Sequence, residues 1–462
     1  MRISPKPVAC MFFISKFLWN MAEFHPPQNA SEFAANFALI KPPMNDTEAS
    51  YESARCLFCY DAPCVQACPT GIDIPLFIRQ IQEGRPASAA KTIYQSNYFG
   101  HACGQVCPTE VLCEGSCVYV KQGVPAVGIG RLQSYATANV IARDQSVFRL
   151  APNVAKKVAV IGAGPAGIAC ACELRAHGVQ VDVFEAKARP SGLTVHGVAP
   201  YKITNEAALS EMDYLIRHFG LTMHYESPIA SAEALQQLAN DFDAVFVGIG
   251  LGETADIHIP GENIAGYHGA VEFIETLRMQ QHGVQVPKTV VVLGGGNTAM
   301  DAASECARMG AERVVLAYRR SREEMGAYGF EFDLAKNVGV ESLFNAAPLE
   351  VLGTDHVEGI RLVRTKTEHG RVVPIENETV EIACDWVIKA TGQTKQTGWL
   401  AQISGLATDS SGRIQVNADF QTTNPQFFAG GDAVNGGKEV VNAAADGKAA
   451  ALGMLKWWAA QA

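Results

Sequence analysis

Positive charge is in short supply in this sequence: 37 Lys and Arg stand against 47 Asp and Glu, a formal net charge of −10. Neither a basic stripe nor aromatics interleaved with lysine and arginine is present, which excludes a nucleic-acid surface. Long apolar runs are lacking as well. No stretch reaches the length of about 18 residues that crosses a bilayer. The run Cys10–Trp19 imitates a short signal core, but Lys16 interrupts it and no small-residue cleavage pattern follows. Residues 1–21 are therefore expected to be a disordered or mis-started extension, with Met21 the true beginning and the product cytoplasmic. Apart from two similar strand–helix–strand units, no repeat or low-complexity tract occurs.

Glycine and cysteine, by contrast, are plentiful. With 462 residues, 48% hydrophobic content and 42 glycines, the chain can bury several cores, and its length suggests about three domains. Of the 13 cysteines, eight crowd into Cys56–Cys117. Without a secretory signal these read as reduced thiolate ligands rather than a disulfide framework. Cys10, Cys170, Cys172, Cys306 and Cys384 are dispersed, and small buried hydrophobe roles explain them.

The texture of the chain changes along its length. Residues 22–150 read as helices and loops organised around the cysteines, with few of the β-branched runs a sheet needs. From Lys157 strands alternate with helices: KVAVIG, a helix through Leu174, then VQVDVFE ending at Glu185. A second such unit starts at TVVVLG (289–294) and closes on RVVLAY. Strands return near DWVIKAT (385–391), and FFAGGDAVNGG precedes a final alanine-rich helix. The fold class expected is α/β: a helical iron–sulfur domain at 22–150 followed by two Rossmann-like domains, the second inserted in the first. The expected boundaries are 151–286 for the first part of a flavin domain, 287–381 for a nicotinamide domain, and 382–462 for the flavin domain resuming.

Gly162, Gly164 and Gly167, with Pro165 and Ala166 between them, follow a strand and open a helix. Missing side chains let the backbone approach a pyrophosphate, which the free N–H groups of the helix start then stabilise. Glu185 ends the next strand, where a carboxylate can accept hydrogen bonds from a ribose hydroxyl. The plainer alternative is a tight turn and nothing more.

The second fingerprint is Gly294-Gly-Gly296-Asn297-Thr298-Ala299. Its following strand runs into Arg319 and Arg320 instead of an acid, and guanidinium groups there suit a 2′-phosphate, favouring NADP(H) over NAD(H). A solvated basic loop is the alternative. Gly431 and Asp432 fit a flavin-binding segment, and Gly192, Leu193 and Gly392 complete the cofactor-binding candidates. With two dinucleotide sites, one holds FAD as a resident group and the other a nicotinamide nucleotide that comes and goes. A flavin accepts hydride pairs and releases single electrons, so a one-electron acceptor belongs nearby.

The cysteine block supplies candidates: Cys56-x2-Cys59-x4-Cys64-x3-Cys68-Pro69, then Cys103-x3-Cys107-Pro108-x4-Cys113-x3-Cys117. Such spacing turns thiolates toward a cluster, and cysteine followed by proline is a ferredoxin-like feature. Structural zinc is the rival reading. By count alone, eight cysteines divide into two sets of four.

From about residue 47 onward, the segments ARCLFCYDAPCVQACPTGIDI, HACGQVCPTEVLCEGSCV, VGIGRLQSYAT, VIGAGPAG, LGGGNTAMD and FFAGGDA resemble the reductase half of dihydropyrimidine dehydrogenase, with glutamate synthase small subunits as more distant relatives. That resemblance implies two [4Fe-4S] clusters, one held by Cys56, Cys59, Cys64 and Cys117. It gives the other to Cys68, Cys107, Cys113 and Gln133, with Cys103 a bystander. It further implies a partner, an FMN-containing catalytic subunit of dihydropyrimidine dehydrogenase that reduces uracil or thymine. This chain would be the electron input, and no side-chain acid or base is needed. Two positions depart from the family pattern: Ser191-Gly192 replaces a glycine pair, and Gly326 stands where proline is common. A glutamate synthase small subunit is the alternative enzyme, and a non-catalytic cluster scaffold the alternative of another class.

Overall fold

A computed structural model describes residues 24–461, apart from 401 and 404. The expected extension at 1–21, and Cys10 with it, lies outside the described residues.

The cysteine-bearing part is helical, and its first strand neighbour begins only at Lys157. The helix Asp46–Ala54 starts on a reciprocal cap, in which Asn45 accepts from the Glu48 N–H while the Glu48 carboxylate accepts from that of Asn45. In Ile74–Gln82 the apolar residues Ile74, Phe77, Ile78 and Ile81 recur with helical period and are buried. They join Ala89, Ile93, Leu132 and Ala136 in a small core against which Cys56, Cys64, Cys68, Cys113 and Cys117 pack.

Two five-stranded parallel sheets follow. The first takes Lys157–Ile161 at its centre, with Gln180–Phe184 and Thr222–His224 on one side and Ala244–Val247 and Phe427–Ala429 on the other. The second centres on Thr289–Leu293, flanked by Arg313–Tyr318 and Glu341–Phe344, and on its other side by Trp386–Lys389 and Tyr267–Gly269. Runs such as VVVL and VVLAY are apolar on both faces because helices cover both faces of the sheet.

One strand assignment is corrected here. Trp386–Lys389, expected to mark the first fold resuming, belongs to the second sheet, in register between Val290–Leu293 and Tyr267–Gly269. Its Val387 and Ile388 are fully buried, which demands an interior place in a sheet rather than a hinge between two. The strand that returns to the first sheet is Phe427–Ala429, paired with Val245–Val247. A three-stranded antiparallel sheet, Ala346–Leu352, Gly359–Glu368 and Arg371–Ala383, had no counterpart in the sequence reading.

The helical part is not a separate bead. Tyr94, Tyr98, Phe99 and Cys103 share one core with Cys170, Tyr214 and Phe219 of the first nucleotide fold. The Glu211 carboxylate, wholly buried on the helix Asn205–Phe219, accepts from the N–H groups of His101 and Ala102 and from the Tyr94 hydroxyl. Those two N–H groups lie in the first turn of Gly100–Val106, so one domain caps a helix of the other.

Candidate functional site

Two cavities collect the clustered cysteines. Cys56, Cys59, Cys64 and Cys117 line the first, with Pro63, Ile74, Ile78 and Tyr119. Cys68, Cys103, Cys107 and Cys113 line the second, together with Asn97, Thr109, Gln133 and, from the far end of the chain, Val441. The first cavity holds the four cysteines that the resemblance groups together, and the second adds Cys103 to Cys68, Cys107, Cys113 and Gln133. Cys103 and Gln133 face the same cavity. The Gln133 amide nitrogen donates to the Gly100 carbonyl at 2.6 Å, which leaves its oxygen for a ligand.

Burial pushes the Cys64 thiol up to about 11 and raises Cys56 and Cys113 as well. A hydrogen bond with Cys103, reinforced by burial, holds Cys107 well above the ordinary thiol range. Apolar walls therefore keep these groups protonated until a metal's charge offsets the cost of ionising them. Among the described residues, no three or more His, Cys, Asp or Glu side chains converge tightly enough to hold a single metal ion. Each cavity gathers four thiols, a number that serves a [4Fe-4S] cluster as it serves structural zinc. The second cavity also carries a buried donor with no acceptor. Asn97 is 1% exposed, its oxygen accepts from the Phe99 N–H, and its Nδ2 has no partner. A sulfide or thiolate of a bound cluster is the acceptor such an N–H fits. Lys41, from the segment ahead of the cysteines, adds a cation whose Nζ donates to the Cys107 carbonyl and to Thr109. Neither Asn97 nor Lys41 was found by sequence reasoning, because neither belongs to a spacing pattern.

At the first fingerprint, Gly162 adopts φ +92°, and a Cβ there would lie 2.5 Å from the Gly248 carbonyl oxygen. At Gly167 a Cβ would meet the Gly162 carbonyl at 1.9 Å, so the helix Pro165–Ala176 comes this close to the end of the strand only because residue 167 is glycine. Gly164, the cap of that helix, has nothing nearer than 3.8 Å, which is the open side a pyrophosphate needs. Buried Glu185 accepts from the Ala163 and Lys187 N–H groups, both at 2.8 Å, and keeps lone pairs for a ribose hydroxyl. Ser191 and Gly192 both have positive φ, and Gly192 lies against Gly164, so the replaced glycine leaves the loop beside the pyrophosphate position. Leu193 begins the short helix that follows. Gly431 packs on Ala166, and the Asp432 carboxyl, raised by burial, accepts from the Lys438 N–H. The predicted flavin residues therefore converge around one helix start.

The second fingerprint repeats the geometry. Gly294 approaches the Ala390 carbonyl and the Ala299 methyl, and Gly296, cap of the helix Asn297–Arg308, has open space around it. Asn297 accepts from the Tyr328 N–H at 3.0 Å, and Thr298 is exposed at the helix start. Gly295 lies under the ring of Tyr318. Gly392, exposed and at φ +108°, follows the neighbouring strand. Arg319 is exposed beyond the strand Arg313–Tyr318, and the half-buried Arg320 has an Nε without a partner. Arg322 is engaged elsewhere, stacked 4.1 Å over Phe332.

Residues 156–447 match the family model described as pyridine nucleotide-disulphide oxidoreductase. The chain belongs to that family. Ahead of that match, residues 33–145 of this oxidoreductase fit the model for dihydropyrimidine dehydrogenase domain II, 4Fe-4S cluster. It is 34% identical over 450 residues to the glutamate synthase [NADPH] small chain of Halomonas elongata, covering 92% of this chain and 94% of that one. It is 32% identical over 414 residues to the NAD-dependent dihydropyrimidine dehydrogenase subunit PreT of Escherichia coli K12, covering 89% and 95%. Among solved structures, FprA of Mycobacterium tuberculosis in complex with NADPH superposes with TM-score 0.55 at 19% identity, over 67% of this chain and 85% of that one. Thioredoxin reductase of T. acidophilum does so with TM-score 0.52 at 20% identity, over 66% and 100%, so both share the fold of the nucleotide domains. The oxidoreductase is an NAD(P)H-, FAD- and iron–sulfur-dependent subunit related to both named enzyme types. Among the described residues, no helix is long and apolar enough to cross a membrane.

Proposed function

We propose that this oxidoreductase is the electron-input subunit of a dihydropyrimidine dehydrogenase, taking hydride from NADPH and delivering single electrons through two [4Fe-4S] clusters to a partner FMN subunit that reduces uracil or thymine. When bound, FAD accepts the hydride pair and the clusters accept electrons one at a time. Gly164 and Gly296 cap helices whose free N–H groups receive the two pyrophosphates, Glu185 takes the ribose, and Arg319 with Arg320 select the 2′-phosphate. Cys56, Cys59, Cys64 and Cys117 hold one cluster; Cys68, Cys107, Cys113 and Gln133 hold the other.

The observation that carries this reading is Val441. It lines the second thiol cavity and stands in the first turn of Val440–Ala459, the helix that packs along the first fingerprint helix. The flavin fold and the second cavity therefore share a wall, which makes that cluster the nearer acceptor. The first cavity lies outward, beside Leu57, which is 55% exposed.

Anaerobic addition of NADPH, followed by optical and low-temperature EPR spectroscopy with iron, zinc and flavin measured on one sample, tests the scheme. Flavin bleaching with about eight irons per chain supports it; zinc without a cluster signal defeats it. Purified alone, the chain leaves uracil unreduced. Removing the charge of both Arg319 and Arg320 lowers the NADPH/NADH ratio of kcat/KM, and an unaltered ratio removes the NADP preference. The glutamate synthase reading draws support from the likeness to that enzyme's small chain across almost the whole length. Uracil reduction on adding an FMN partner, against glutamate formation on adding a glutaminase partner, separates the two.

A further inference from the structure

Between the two nucleotide folds lies a buried lysine that neither fingerprint accounts for. Lys202, 7% exposed, sits in the loop between Leu193–His196 and Asn205–Phe219 of the flavin fold. Its ammonium reaches across to the nicotinamide fold, 2.8 Å from Asp301 and 2.8 Å from Glu331, both themselves buried. The neighbouring Tyr201 hydroxyl donates to the same Asp301. Asp301 stands four residues past Asn297 on the second fingerprint helix, about one turn from the cap where the dinucleotide binds. Glu331 lies on the next helix, Gly329–Asn337.

A second link runs back to the flavin side. The Tyr328 N–H donates to Asn297, and its hydroxyl donates to Glu439 at 3.0 Å. Glu439 caps Val440–Ala459, the helix that walls the second thiol cavity. Burial alone would lower the Lys202 pKa, but the two carboxylates more than reverse this, so the lysine stays charged. A buried charge pair of this kind contributes little net stability compared with apolar packing, but it fixes geometry, since breaking one partner leaves an uncompensated charge. Glu331 keeps one buried oxygen with no protein partner, as expected where a ligand or water completes the site.

We propose that Lys202, through Asp301 and Glu331, is a positioning residue that holds the nicotinamide fold against the flavin fold so that the reduced nicotinamide ring lies at hydride-transfer distance from the flavin. The reaction needs the two rings near van der Waals contact, and a small misplacement is costly in rate without a matching loss of nucleotide affinity. The inference rests on the reading that a nicotinamide nucleotide reduces the bound flavin.

The experiment compares holoprotein of wild type, Lys202→Met, Lys202→Arg, Glu331→Gln and Tyr328→Phe in anaerobic stopped flow at saturating NADPH. Long-wavelength charge-transfer absorbance, NADP+ dissociation constants and hydrogen exchange in residues 197–204 and 329–337 are followed alongside. Lys202→Met is expected to slow limiting flavin reduction at least tenfold, abolish the charge-transfer band and raise exchange in both segments, with NADP+ affinity within threefold of wild type. Lys202→Arg restores part of the band. Should Lys202→Met fail to fold or to hold flavin, Glu331→Gln and Tyr328→Phe decide the matter, with expected slowing of about threefold or more. Limiting rates within twofold of wild type and an intact band in the folded variants overturn the proposal. A wild type that no nicotinamide nucleotide reduces overturns the functional reading, and the proposal with it.

Discussion

Asn97 shows what a single residue adds that no pattern announces. Asn97 lines the second thiol cavity and its Nδ2 has no protein partner, and an N–H donor to a cluster sulfur stabilises the reduced, more negative state. Asn97→Leu should therefore lower the reduction potential of one cluster and leave the other unchanged. The expected size is on the order of a tenfold change in the reduced-to-oxidised ratio at fixed potential, or about 59 mV for one electron. An EPR-monitored redox titration showing both midpoints unmoved would count against a donor role. The cysteines and glycines were legible in sequence because their chemistry depends on spacing that the chain itself displays. Asn97 and Lys41 were not, because their relation to the cavity is made by folding, and a lone asparagine or lysine is ordinary anywhere on a surface.

At the scale of elements, helix starts and strand runs were readable, but sheet membership was not. Trp386–Lys389 and Phe427–Ala429 are both short apolar runs, and only their hydrogen-bonded neighbours tell which sheet each completes. Closeness between helices is likewise set by residues that seem unremarkable in sequence. Gly447, midway along Val440–Ala459, is such a point: a Cβ there would lie 1.9 Å from the Ala166 carbonyl oxygen in the first fingerprint helix. Backbone cannot yield as a side-chain tip can, so Gly447→Ala should push the two helices apart at a cost of about 1–3 kcal/mol. Thermal denaturation and flavin retained after gel filtration measure this. A variant with wild-type stability and full flavin content would show that the helices have slack.

Across the whole molecule, Glu211 joins the cysteine-bearing helices to the flavin fold. Burial pushes its carboxyl up to about 7 from an ordinary 4.5. The folded protein then holds this proton more tightly than the unfolded chain. The resulting stabilisation is full below pH 4.5 and is lost as the pH rises toward 7. Glu211→Gln should flatten that part of the stability profile, and Glu211→Ala, which leaves the His101 and Ala102 N–H groups without their acceptor, should cost about 2–3 kcal/mol. Denaturant titrations at several pH values compare the three proteins; parallel profiles for wild type and Glu211→Gln would mean that the carboxyl does not titrate in this window.

The wall that Val441 contributes to the second cavity also bears on how the protein is made. Domains fold as they leave the ribosome, N-terminal portions first. Here the cysteines emerge early, the carboxylate that caps the helix bearing Cys103 follows at position 211, and the last side of the second cavity arrives only with residue 441. Twelve of the thirteen residues that line that cavity lie between Cys68 and Gln133, so its thiols gather early and lack only the wall that Val441 brings. Chains arrested short of the final helix should therefore carry less iron in the second cavity than in the first, a difference that iron analysis of truncated chains would measure.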